Sequence, residues 1–70
     1  MIGSQIAQLR QERGMRQAEL AKLLQISSST VGMYEQGRRL PSLSMVVRLS
    51  RTFDVSVDYL LTGKDPKGIL

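Results

Sequence analysis

The 70-residue sequence predicts an all-α fold, a compact bundle of five short helices. Three observations predict it. Apolar residues recur at helical spacing in five successive segments, Gly and Pro punctuate those segments, and no stretch alternates apolar and polar residues for long enough to make a strand. Val55, Ser56 and Val57 alternate, but the run is too short.

The elements follow in order. Ile2, Ile6 and Leu9 share one face of a first helix, which Gly14 ends. Leu20, Ala21, Leu23 and Leu24 mark a second, beginning near Gln17. Ser27 is a good N-cap for a third, which turns Val31 and Tyr34 inward and ends at Gly37. Pro41 and Ser42 open a fourth, with Leu43, Val46, Ser50 and Phe53 as its inner stripe. Ser56 caps a short fifth over residues 57–61, stopped by Gly63, and Asp58 in its first turn suits the positive end of the helix dipole. Val55 and Leu60 are expected in the core. Residues 1–63 read as one domain, and 64–70 as a tail or linker.

Composition excludes several functions. The chain has no cysteine and no histidine, so disulfides are impossible and the commonest zinc ligands are missing. No metal site or cofactor is expected. No nucleophile stands with a base and no carboxylates pair, so an enzyme is not expected either. A domain of this size buries only roughly 60% of its unfolded surface, so stability must come from tight helix packing or a partner subunit. The first residues lack the basic and apolar regions of a signal peptide, and no apolar run approaches the ~18 residues that span a bilayer. The expectation is a cytoplasmic protein without a membrane partner. No residues suggest a small-molecule effector pocket. Ten Lys and Arg against six acidic residues give a net charge of +4, which favours a polyanionic partner.

The informative stretch is 17–36, QAELAKLLQISSSTVGMYEQ. Two short helices are joined by three or four residues, with small Ala21 in the first and Val31 and Tyr34 in the second. A small side chain lets two backbones approach at a steep crossing, which suits a helix-turn-helix; a generic helical hairpin is the alternative. Ser27, Ser28, Ser29 and Thr30 crowd the first turn of the third helix, where unpaired N–H groups and the dipole favour an anion such as phosphate. Ser27 is expected to cap, and Ser28 and Ser29 to touch a partner.

IGSQIAQLRQERG, QAELAKLLQISSSTVGMYEQGRR, LPSLSMVVRLS and FDVSVDYLLTG together resemble the Cro and phage-repressor (Xre-type) helix-turn-helix family over residues 2–63. The resemblance implies a lambda-repressor-like five-helix domain with its helix-turn-helix at helices two and three. It also implies a transcriptional regulator, foremost a repressor, that inserts the third helix (about 28–36) in the major groove of double-stranded operator DNA. Such proteins usually bind as homodimers on pseudo-palindromic sites. By position, Ser28, Ser29, Gly32 and Met33 fall where relatives reach base edges. Gln17, Thr30, Arg38 and Arg39 fall where relatives contact the DNA backbone, and Ser27, at the start of the third helix, is assigned to phosphate with them. Arg10 and Glu35 match a pair that joins helix one to the end of helix three, expected here as a partly buried structural ion pair. Dimer contacts in relatives involve the region of helices four and five, which leaves Tyr59, Ile69 and Leu70 as candidates.

Three positions depart from the family pattern. Gln25 stands in the turn where Gly is usual, at roughly 1 kcal/mol or more of backbone strain, so the turn is expected to differ. Arg16 replaces the usual capping oxygen of helix two and is assigned to phosphate instead. Gly32 removes a side chain from the groove face, which weakens direct readout or permits closer backbone approach. Two further readings keep the fold: a protein-interaction module without DNA binding, and the DNA-binding part of an antitoxin, restriction controller or longer regulator.

Overall fold

Described over residues 2–64, the computed structural model contains α1 (Ile2–Glu12), α2 (Gln17–Leu24), α3 (Ser28–Glu35), α4 (Leu43–Phe53) and α5 (Val57–Thr62). The described residues include no strand, and no helix among them is long and apolar enough to cross a membrane. Of the tail 64–70, only Lys64 is described; Ile69 and Leu70 lie outside the described residues.

Serine hydroxyls start three of the helices. Ser27 Oγ accepts the Thr30 N–H at 3.1 Å, Ser42 Oγ that of Met45 at 3.2 Å, and Ser56 Oγ that of Tyr59 at 2.9 Å. Each satisfies one of the donors that a first turn leaves without an intrahelical partner. α2 starts differently. Arg16 has no acceptor to offer, and the Glu19 carboxylate reaches back to the Arg16 N–H at 2.7 Å. This is one half of a capping box, and the negative charge also suits the helix N-terminus.

The turn between α2 and α3 keeps the left-handed geometry despite lacking glycine. Gln25 adopts φ 60° and ψ 42°, and the Ile26 N–H bonds the Ala21 carbonyl at 3.0 Å, closing a Schellman-type cap. The expectation of a different turn is therefore corrected: the left-handed backbone is retained, and Gln25 adopts it without glycine's freedom. Asp54, at the end of α4, sits in the same region with φ 56°.

α3 packs against both α1 and α2, α5 against α1 and α4, and α2 touches α4. Ile6, Leu20, Leu24, Val31, Leu49, Phe53 and Leu60 are fully buried at the centre of this arrangement. Ala21 is buried opposite α3, as a close crossing requires. The stripe expected on α4 is shifted. Met45, Val46, Leu49 and Phe53 are buried, whereas Leu43 is 78% exposed and Ser50 is half-buried. Leu43 begins the helix, beyond the reach of its neighbours. Leu23 also faces solvent, because it lies on the side of α2 away from α3 and α4. Tyr59 is not free surface: it is half-buried and packs on the core with Val55 and Val57.

Two close contacts fix α1. Gly3 is buried against α3, and a β-carbon there would overlap the Tyr34 carbonyl oxygen and lie 3.1 Å from that of Glu35. At the other end, Arg13 Nη2 donates to the Phe53 carbonyl oxygen at 2.6 Å, and its guanidinium stands 5.3 Å from the Phe53 ring centroid. One side chain thus satisfies a carbonyl at the end of α4 and covers a core ring.

Candidate nucleic-acid interface

The inner half of α3 belongs to the core, through Val31 and Tyr34. Its outer half is polar and sparse. Ser28, Ser29, Gly32, Met33 and Gln36 follow one another at helical spacing and, with Gln17 and Arg38, line an open depression of about 370 Å³. Ser28, Ser29, Gln36 and Arg38 are exposed, while Met33 and Gln17 are half-buried. Gly32 is itself buried, because the Gln17 side chain lies across it; a β-carbon at Gly32 would stand 3.7 Å from Gln17 Nε2, an ordinary contact.

Six of the residues assigned from the sequence therefore meet at one depression, and four stand beside it. Ser27 and Thr30 bond to each other, with Oγ and Oγ1 2.8 Å apart at the start of α3. Arg16 is exposed at the start of α2. Arg39 is exposed beyond α3 and lines a second hollow with Ile2, Tyr34 and Leu40, and Gln36 borders both this hollow and the depression. Gln36 was not singled out in the sequence. Its signal was its spacing, three residues beyond Met33 and four beyond Gly32.

Behind this face, Glu35 holds the helix in place. Its carboxylate accepts from Arg10 Nε at 2.6 Å and Nη2 at 3.2 Å, and from Gln17 Nε2 at 2.9 Å. Arg10 Nη1 donates in addition to the Met15 carbonyl at 2.8 Å. The Arg10 and Glu35 side chains are only 13% and 8% exposed, so both charges are largely withdrawn from water and must be satisfied internally. The planar guanidinium does this with a forked contact to the carboxylate and a third bond to the backbone. One acidic group thereby joins α1, the α1–α2 turn and α2 to the end of α3.

Cations predominate around the outer face. Arg16, Arg38 and Arg39 are exposed near it, Glu35 is neutralised by its partners, and the exposed Glu19 carboxylate is turned to the Arg16 N–H at the start of α2. No cluster of His, Cys, Asp or Glu among the described residues could hold a metal ion. The arrangement offers hydroxyl, amide and guanidinium donors over a shallow polar surface, which suits phosphates and base edges.

Residues 6–60 match the helix-turn-helix family model. The chain is 38% identical to the HTH-type transcriptional regulator ImmR of Bacillus subtilis over 64 residues, covering 91% of this chain and 50% of ImmR. It is structurally similar to the P22 c2 repressor protein, solved in complex with a synthetic operator, with a TM-score of 0.85 and 30% identity, covering 91% of this chain and 97% of that one. It is also similar to SinR, the master regulator for biofilm formation, solved in complex with DNA, with a TM-score of 0.79 and 35% identity over 87% of this chain and 98% of that one. The chain spans half or less of the length of several curated relatives that it matches, down to 13%.

Proposed function

The chain belongs to the Cro/Xre-type helix-turn-helix family, and from that premise we propose that it is a sequence-specific DNA-binding transcriptional regulator, a repressor, acting in the cytoplasm. The observation that carries this reading is the exposed polar face of α3. It is flanked by Gln17 and Arg38 and held from behind by the bonds to Glu35.

On this reading α3 enters the major groove. Arg16, Gln17, Ser27, Thr30, Arg38 and Arg39 hold phosphates and set register, while Ser28, Ser29, Gly32 and Met33 face the bases. Gln17 serves both the scaffold and the phosphate. A side-chain amide nitrogen carries two protons; one goes to Glu35, and the other is free for a backbone oxygen of the DNA. Serine hydroxyls donate or accept and so discriminate weakly, and Met33 offers only an apolar contact for a thymine methyl. Each half-site is then read modestly. A homodimer on two half-sites about one helical turn apart supplies the remaining specificity.

Binding of random-sequence duplex DNA across a salt series tests this reading, with an Arg38→Ala, Arg39→Ala double variant alongside. The expected result is a steep fall of log affinity with log salt, and a slope shallower by roughly one to two units in the variant. No binding to duplex DNA even at low salt would overturn the reading and point to a protein-interaction module.

A further inference from the structure

The sequence-reading face of α3 is poor in side chains able to tell one base from another, and one residue stands out against that background. Ser28 and Ser29 carry short hydroxyls, Gly32 carries nothing, and Met33 is apolar. Two primary amides line the depression, and they differ in one respect. Gln17 spends a donor on Glu35, whereas the Gln36 side chain is exposed and has no hydrogen-bond partner among the described residues.

Resting on the DNA-binding reading above, we infer that Gln36 is the principal base-specifying residue of this chain and reads an adenine through its side-chain amide. Gln36 follows Ser29, Gly32 and Met33 on the same helical face, so it points to the same side as the depression. In a helix lying in a groove, the bulk of the leading side chains sets how closely the backbone approaches. The two exposed serines at its start leave α3 free to seat close to the groove floor, with Gly32 covered by Gln17, and this brings the residue at the end of the helix within reach of a base edge. A glutamine amide carries one acceptor and two donors in a plane, matching the N7 acceptor and N6 donor that adenine alone presents together in the major groove. Arg38 beside it supplies a phosphate contact that keeps the end of α3 against the DNA.

The experiment is selection from a random duplex pool with the 70-residue chain, its Gln36→Ala variant and its Gln36→Glu variant, followed by affinity on the enriched duplex across a salt series. The wild-type pool is expected to show an A·T preference at one position of each half-site. That preference should vanish in Gln36→Ala while the others remain, with affinity for the enriched duplex falling roughly 5- to 150-fold and the salt slope unchanged. Gln36→Glu should move the preference toward cytosine, whose amino group donates to a carboxylate. Gln36 is exposed at the end of α3, so both variants are expected to keep the wild-type thermal transition.

A uniform loss across sequences, with the preference at every position kept, would make Gln36 a phosphate contact and overturn the inference. So would an unchanged preference at every position in Gln36→Ala, or wild-type binding to duplex DNA without any enrichment. The first two outcomes leave the sequence-specific DNA-binding reading standing, and the third leaves DNA binding but removes its sequence specificity. Only failure of the wild-type chain to bind any duplex removes both.

Discussion

The guanidinium of Arg10 donates to the carboxylate of Glu35 at 2.6 Å, across 25 residues of sequence and with both side chains largely out of water. Removal of either partner leaves the other charge without its counterion in a site that water reaches poorly. Arg10→Ala and Glu35→Ala should therefore each cost about 2–4 kcal/mol of unfolding free energy. An Arg10→Met, Glu35→Leu double variant should recover part of that loss, because two apolar side chains need no counterion, while the Met15 carbonyl and the Gln17 amide still lose their partners. Denaturant titration of the four proteins checks this. A double variant no more stable than either single one would show that the pair contributes more than mutual neutralisation.

Gly3 sets two effects against each other. Alanine has the higher helix propensity by about 1 kcal/mol, so propensity alone favours Gly3→Ala. Its β-carbon would overlap the Tyr34 carbonyl, which is backbone and cannot rotate away. Overpacking of this kind costs about 1–3 kcal/mol, and it should win. Thermal unfolding is expected to show a lower midpoint for Gly3→Ala; an unchanged or raised midpoint would mean that α1 and α3 slide apart freely.

Gln25 and Asp54 both hold left-handed backbone at the end of a helix. The conformation costs roughly 1–2 kcal/mol for an ordinary L-residue and less for Asp, which visits it more readily. Glycine removes that strain but loses more freedom on folding, by roughly 0.5–1 kcal/mol. Gln25→Gly should be neutral to stabilising by about 1 kcal/mol, and Asp54→Gly should gain less. Midpoints of denaturant unfolding give the order, and Asp54→Gly as the more stabilising change would contradict it.

Arg13→Ala removes both the bond to the Phe53 carbonyl and the cation above its ring. The residue is exposed, so the expected loss is about 1 kcal/mol, with Arg13→Lys intermediate because an ammonium keeps the charge but not the planar fork. Equilibrium unfolding of the three proteins measures the series. A lysine variant as weak as the alanine one would assign the whole effect to guanidinium geometry.

Local signals were the legible part of this fold. Ser27, Ser42 and Ser56 announce helix starts because the hydroxyl and its acceptor geometry lie within three residues, and Gly14, Gly37 and Gly63 end segments with positive φ. Signals that depend on distant packing were not legible. Either set, Leu43, Val46, Ser50 and Phe53 or Met45, Val46, Leu49 and Phe53, satisfies a helical repeat; the position of the neighbouring helices decides between them. Gly3 looks like an ordinary weak helix residue until α3 is placed beside it. Arg13 and Phe53 meet across 40 residues, with no local pattern to reveal it. On the outer face of α3 the order of difficulty reverses. Ser28 and Ser29 are marked by the hydroxyl-rich first turn and Met33 by the family resemblance, whereas Gln36, one turn on, needed only the spacing rule.

The anchoring of α3 divides its residues between two masters. Val31, Tyr34 and Glu35 answer to the interior, and changing them disturbs the whole domain. Ser28, Ser29 and Gln36 are not part of the apolar core, and only Ser29 shares even a surface hydroxyl contact. Substitution at those three positions alters what the surface meets at little cost to folding. Descendants of this chain can therefore drift to new targets by single steps, each intermediate remaining a folded protein under selection.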